Sequence, residues 1–295
     1  MSNTLDLTTF FQKFPDEMAC RQYLEQKLWK NGCVCPHCKC DKTYRYKDGK
    51  LHKCSGCLKQ FQVTTNTIYA QSNLPLQKWF LAFYLIATHK KGISSIQLSK
   101  ALGITQKSAW YLAHKIRYML LHNTVMKPLK DIVECDETYV GGKMRGKRGR
   151  GSTNKTPVFG MLQRGGNLII MPVENAKRVT IEPLIYKHVK IGTKIMTDEW
   201  WAYTKLSRSY KHEVVQHGVK EYVRGNVHVN SLEGAWSLLK RSIRGIYHRP
   251  SKKHLAKYCA EFQFKYNTRK DSEQIRFDKL LSKSKGKIKP AQIRA

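Results

Sequence analysis

The stretch IVECDETYV, residues 132–140, decides the fold. Its β-branched and aromatic residues, stopped by Gly141-Gly142, read as a β-strand with Asp136 in its middle. If side chains alternate along it, Glu137 points away from Asp136. A second strand, KIMTD (194–198), ends on Asp198, after which EWWAY (199–203) turns into a helix. The segment NSLEGAWSLLK (230–240) then opens another helix with Glu233 near its start. Between these lie a hairpin, Pro157–Arg164 and Asn167–Val173 with Gly165-Gly166 as a two-residue turn, and a helix over Thr180–Val189. Residues 130–270 therefore read as an α/β domain.

Only 21 of the 295 residues are acidic, so their positions carry information. Asp136, Asp198 and Glu233 can converge on one point. Such a cluster holds two divalent ions about 3.5–4 Å apart for phosphoryl transfer. Carboxylate oxygens suit Mg²⁺ or Mn²⁺. Each residue also has a plainer reading. Asp136 can be a turn residue, Asp198 can cap its helix, and Glu233 can complete a capping box with Asn230. Glu134, Glu137 and Glu199 are acidic neighbours easily miscounted as ligands. Lys240, two turns after Glu233, shares its helix face and can reach a phosphate or simply face water. Trp200, Trp201 and Tyr203 can stack on unpaired bases or pack in the core.

Fifty-four Lys and Arg against 21 Asp and Glu leave a net charge of +33, spread along the whole chain. That much self-repulsion implies a polyanionic partner, with nucleic acid first and an anionic membrane second. With 41% hydrophobic and 11% aromatic residues, the chain is not a disordered polycation. The longest apolar run, Trp79–Ala87, is far short of the roughly 20 residues of a membrane span. No amphipathic membrane-binding segment and no secretory signal is visible, so a membrane partner is not expected. The segment 138–173 holds no acid. Within it Lys143, Arg145, Lys147, Arg148 and Arg150 form a basic loop suited to gripping DNA. Arg241 and Arg244 begin a second basic stripe, continued by His248, Arg249, Lys252 and Lys253.

Upstream, Cys35 and Cys38 are followed after fifteen residues by Cys54 and Cys57. This C-x2-C pair spacing is that of a zinc ribbon, a closed four-thiolate site whose metal supplies folding energy. Cys33 and Cys40 flank the first pair and leave the ligand set open. Cys20, Cys135 and Cys259 stand alone as small core residues. The odd count of nine cysteines and the metal spacing fit a reducing cytoplasm.

Residues 75–122 read as helical. Ser94–Leu102, the turn Gly103-Ile104-Thr105, and a helix from Gln106 to Arg117 have the helix-turn-helix layout. Thr105, Gln106, Lys107 and Ser108 would then meet base edges. Leu98, Leu102, Ile104, Trp110 and Ile116 would form the small core. The alternative is a helical hairpin that binds protein. The expected organisation is a helical lead-in (1–30), a zinc ribbon (31–65), a helix-turn-helix domain (75–122), the α/β domain (130–270) and a basic tail (271–295). The last stretch of that tail, KLLSKSKGKIKPAQIRA (279–295), is expected to be mobile.

The segments CPHC…CSGCLKQF, TTNTIYAQSNLPLQKWFLAFYLI, DETYVGGK, MTDEWWAY and HVNSLEGAWSLLKRSIRGIYHRPSKKHLAKYCAEFQFKYNTR together resemble insertion-sequence transposases of the DDE class that begin with a zinc ribbon. The resemblance runs over about residues 10–270. It implies an RNase H-like core with Asp136, Asp198 and Glu233 as the metal-binding triad and Lys240 as the basic residue after the glutamate. It also implies hydrolysis at the element's terminal inverted repeats, then attack of the freed 3′-hydroxyl on target DNA, with no covalent enzyme intermediate. Synapsis of two ends implies at least a dimer on DNA, in a prokaryotic cytoplasm at the nucleoid. Two other readings compete: an RNase H-like nuclease that cuts without joining, and a zinc-ribbon DNA-binding regulator.

Overall fold

The computed structural model describes residues 4–142, 154–219 and 221–294. The chain forms two compact units, one from residues up to Thr124 together with those from Lys270 onward, the other from Val125 to Arg269. In chain order the elements are α1 (Leu7–Lys13), α2 (Glu17–Leu28), β1 (Thr43–Arg45), β2 (His52–Cys54), β3 (Gln60–Phe61), α3 (Leu76–Thr88), α4 (Ser95–Leu102) and α5 (Gln106–His122). The second unit contains β4 (Ile132–Gly141), β5 (Lys155–Gln163), β6 (Leu168–Pro172), α6 (Arg178–His188), β7 (Lys194–Asp198), β8 (Lys211–Val215), α7 (Asn230–Ser242) and α8 (Lys252–Asn267). The chain closes in the first unit with α9 (Glu273–Leu281) and α10 (Pro290–Arg294).

In the first unit, Asp6 and Asp16 open α1 and α2 by accepting backbone N–H groups three residues on. Phe10, Phe14, Phe80 and Phe277 then meet largely edge to face, at centroid distances of 5.0–6.1 Å. Phe277 lies on α9, so the expected tail is not a free appendage. Phe277, Leu280, Leu281, Ile288 and Ile293 are all buried. The Ile68 N–H donates to the Ser284 carbonyl and the Gly286 N–H to that of Asn66. Lysines, glycine and proline give 279–295 the composition of a tail, but its apolar residues have a groove to fill. The helices α4 and α5 are joined through Gly103 in the left-handed conformation, with a capping box of Ser94 and Gln97 at the start of α4. Leu98, Leu102 and Ile116 are buried between them as expected, with Ile104 and Trp110 only half-buried.

The second unit is built on a mixed five-stranded sheet in the order β6-β5-β4-β7-β8. The β4–β5 and β5–β6 pairs are antiparallel, while β4–β7 and β7–β8 are parallel. One face packs on α6 through Val133, Cys135, Phe159, Met161, Ile181 and Ile185. The other packs on α7 and α8 through Val158, Leu162, Leu232, Trp236, Leu255 and Cys259. The edge strand β6 is covered: Gln263 and Asn267 of α8 accept the N–H groups of Ile170 and Leu168. The β5–β6 turn differs from expectation. Gln163 pairs with Asn167, so the loop is the three residues Arg164, Gly165 and Gly166. Gly165 takes the positive φ, and the Arg164 side chain is left free to turn inward. No described helix is long and apolar enough to cross a membrane.

Candidate functional site

β4 and β7 run parallel with Glu134 opposite Met196. Two residues further along each strand stand Asp136 and Asp198. With a side-chain period of 2, both point to the α7 face from neighbouring strands about 4.8 Å apart. Glu137 faces the other way and accepts a hydrogen bond from the Tyr203 hydroxyl at 2.7 Å. Asp136 is half-buried and accepts the Trp236 indole N–H at 2.9 Å. Burial, then the charges of Glu137 and Asp198, push its carboxyl up to about 7; the Trp236 hydrogen bond works against that. Asp198 accepts the Trp200 backbone N–H at 3.1 Å. The chain then makes a short 3₁₀ turn, Trp201–Tyr203, rather than a full helix. Trp200 and Tyr203 pack into the core, while Trp201 remains exposed beside Arg178.

Trp236 reaches Asp136 across a gap that only a glycine leaves open. Gly160 lies opposite Asp136 on β5, and a Cβ there would stand 2.4 Å from the Trp236 ring. Gly160 belongs to no motif of the sequence, although a glycine inside a strand is itself a signal of close approach. Gly160→Ala is expected to unseat the indole and lower the melting temperature by several degrees, about 1–3 kcal/mol of overpacking, as calorimetry would register.

Glu233 sits exposed in the first turn of α7, one turn before Trp236. The capping box with Asn230 does not form: the helix start has no side-chain cap from its own flank. Instead the Leu232 N–H donates to Glu134 Oε2 at 2.9 Å. Glu134 is fully buried, and its other oxygen takes Arg164 Nε at 2.7 Å. Arg164 in turn donates to the carbonyls of Asn226 and His228. This carboxylate, which the spacing alone could not distinguish from its neighbours, ties the start of α7 to the sheet. Lys240 is half-buried two turns after Glu233, while Arg241 and Arg244 are exposed, Arg244 in the π-helical turn Ile243–Tyr247 that extends α7. Lys143, Arg145, Lys147, Arg148 and Arg150 lie outside the described residues.

In the first unit the Sγ atoms of Cys35, Cys38, Cys54 and Cys57 all lie within 4.8 Å of one another. The Cys38–Cys54 and Cys35–Cys57 separations are 3.4 and 3.7 Å. A tetrahedron of Zn–S bonds of about 2.3 Å has edges of roughly 3.8 Å, so the four sulfurs fit the ion. The N–H groups of His37 and Cys57 point at Cys35 and Cys54. Burial acts to raise the Cys35 thiol, but backbone N–H groups and neighbouring sulfurs outweigh it and bring it below the usual range. Cys33 and Cys40 stand outside the group, Cys33 beside His52 and Cys40 beside Ser55 and the Lys42 carbonyl. Among the described residues the three carboxylates do not form such a group within 4.8 Å. On α5, Thr105 caps the helix and donates to Ser108, and Gln106 donates to Ser95; Lys107 is exposed.

The described residues thus comprise a four-cysteine group that could hold a metal ion and a mixed α/β domain with aspartates on two adjacent parallel strands. Residues 15–60 match a transposase zinc-ribbon domain, a span that takes in α2, and residues 128–267 match an ISXO2-like transposase domain. The uncharacterized protein in transposable element ISH50 of Halobacterium salinarum is 30% identical over 276 residues, covering 85% of this chain and 91% of that protein. The chain belongs to this transposase family, the ISXO2-like insertion-sequence proteins with an N-terminal zinc ribbon. Among solved structures, the mariner Mos1 paired end complex with Mg matches at 11% identity and a TM-score of 0.24, over 70% of this chain and 79% of that one.

Proposed function

We propose that this protein binds the terminal inverted repeats of its insertion sequence and catalyses metal-dependent cleavage and strand transfer. The observation that carries the reading is Asp136 and Asp198 on adjacent parallel strands, close enough for the Asp198 charge to act on Asp136, with α7 and its Glu233 packed on the same sheet face. The strand order, with its first three strands antiparallel and two parallel strands added on the far side of β4, supports an RNase H-like core.

Asp136, Asp198 and Glu233 would hold Mg²⁺ or Mn²⁺. The donor set fits, being all hard carboxylate oxygen, and a cation would offset both causes that raise Asp136, burial first and then the charges of Glu137 and Asp198. The carboxylates need not crowd as the cysteines do, since two ions about 3.5–4 Å apart divide them. Bound there, the ions would supply charge stabilisation for the attacking and leaving oxygens.

The chain's own residues position the substrate. Trp236 fixes the Asp136 carboxylate, and Lys240 contacts the phosphate beside the triad. Arg241 and Arg244, with the basic residues of 143–150, hold the backbone. In the first step water adds to the phosphorus at the element's end and the 3′-oxygen leaves, taking a proton. In the second that 3′-hydroxyl adds to a target phosphorus and displaces the target's 3′-oxygen, so the number of phosphodiester bonds is conserved. Thr105, Gln106, Lys107 and Ser108 form the recognition end of a helix-turn-helix. Because Thr105 and Ser108 are tied into the helix cap, Lys107 carries most of that contact. Zn²⁺ in the ribbon is structural, and two ends require at least a dimer on DNA.

Incubating the protein with Mg²⁺, a labelled duplex of the DNA flanking its gene and a supercoiled plasmid tests this. Nicking at the end and joining to the plasmid are expected. Cleavage without joining would point to a nuclease, and binding with no chemistry to a regulator. For the ribbon, Cys54→Ser is expected to take bound zinc from one ion per chain to none and to unfold β1–β3, read by atomic absorption and limited proteolysis. Retained zinc would bring Cys40 into the ligand set.

A further inference from the structure

The first unit contains a cleft of about 840 Å³ that the proposed chemistry does not use. One wall is the end of α2 and the first zinc knuckle, contributing Lys30 and Lys39; the other is the C-terminal segment, contributing Lys285 and Lys287. Lys27 also lines it but is held by Asp278 at 2.8 Å. No acidic side chain lines the cleft among the described residues.

The C-terminal wall is built. Ser284 and Gly286 are hydrogen-bonded to Ile68 and Asn66, and Asn123 donates to the carbonyls of Lys283 and Lys285 at 2.7 Å each. Ser284 and Ile288 are buried, whereas Lys285 and Lys287 are exposed and line the cleft. On the opposite wall Asn66 donates to the Pro36 carbonyl, fixing the loop to the knuckle. Lys30, Lys39, Lys285 and Lys287, all exposed, thus line one groove with no acidic residue among its described lining, and such a concentration of positive charge attracts an anion.

We infer that this groove binds the sugar-phosphate backbone of DNA, so that the C-terminal segment is the second half of a ribbon-based DNA clamp. The inference rests on the proposed DNA-binding function. Its chemistry is non-specific: lysine ammonium groups meeting phosphate oxygens, with register set elsewhere in the protein.

The test is fluorescence anisotropy of the full-length, zinc-loaded protein on a labelled end duplex from 50 to 300 mM KCl. Each lost phosphate contact lowers the slope of log K against log [salt] by about 0.9. The double variant Lys285→Gln/Lys287→Gln is expected to lower it by about 1.8 and to weaken binding roughly tenfold or more at 150 mM. Lys30→Gln/Lys39→Gln, on the other wall, is expected to do the same, with zinc content and melting temperature unchanged for both pairs. An unchanged slope in both would overturn the inference. So would an equal drop from Lys47→Gln/Lys50→Gln, exposed ribbon lysines outside the cleft, since net charge alone would then explain the loss. Failure of the unaltered protein to bind any duplex would instead sink the proposed DNA-binding function itself.

Discussion

Asp136→Asn is expected to abolish strand cleavage and, in metal-free buffer at pH 8, to make the protein more stable. The activity loss comes from removing a charge that the proposed metal site needs. Several kcal/mol of transition-state stabilisation, at 1.36 kcal/mol per factor of ten, correspond to about 10³-fold or more. The stability gain comes from the raised carboxyl. Asp136 titrates near 7 in the folded chain against 3.8 when unfolded. Below about pH 4 both states carry the proton and no penalty exists. As pH rises from about 4 to about 7 the unfolded chain ionises freely while the folded one resists, so stability falls. Above about 7 the penalty is full, on the order of 2–4 kcal/mol. Asn removes the charge and still accepts the Trp236 indole N–H, so it keeps the local packing. The melting temperature of the variant should therefore exceed that of the parent at pH 8, and the gap should close near pH 4. Mg²⁺ should raise the parent's melting temperature and leave the variant's where it is. A variant less stable than its parent at pH 8 would mean that burial and the neighbouring carboxylates do not penalise the Asp136 charge.

The aspartate pair is legible in the sequence because acids are scarce in this chain and because a strand pattern is local. IVECDETYV and KIMTD announce themselves in a few residues, and parallel pairing then sets the two strands that carry the aspartates side by side. The zinc spacing is equally local. Its remaining ambiguity, Cys33 and Cys40, depends on where six sulfurs lie in space, which spacing does not encode. The features hidden from the sequence are long-range. Ser284 finds Ile68 across more than two hundred residues, and only the folded groove shows why a lysine-rich end packs its apolar residues. Likewise Gly160 matters because Trp236, on a helix formed seventy-six residues later, needs the space of a side chain. The turn at Arg164 to Gly166 is one residue longer than its Gly-Gly pair suggests, and that residue is the arginine on which the start of α7 depends.

Glu134→Gln is the second large effect expected, and it separates positioning from chemistry. Glu134 touches no part of the proposed substrate path, yet its two oxygens hold Arg164 and the Leu232 N–H, fixing the turn that carries Glu233. Glutamine has the size but not the charge, and it leaves the guanidinium without a counter-ion. Breaking a buried pair from one side costs about 3–5 kcal/mol, so chemical denaturation should show a loss of that order. Arg164→Met should cost a similar amount, because it strands a fully buried carboxylate. The double variant Glu134→Gln/Arg164→Met should cost clearly less than the sum, since neither charge is then left alone. Cleavage should separate from binding: the turnover rate falls in all three variants while the affinity for an end duplex, carried by lysines and arginines elsewhere, stays within about twofold. Additive losses would mean the pair is not coupled. Affinity falling in step with rate would mean that the network supports the DNA surface rather than the helix that presents Glu233.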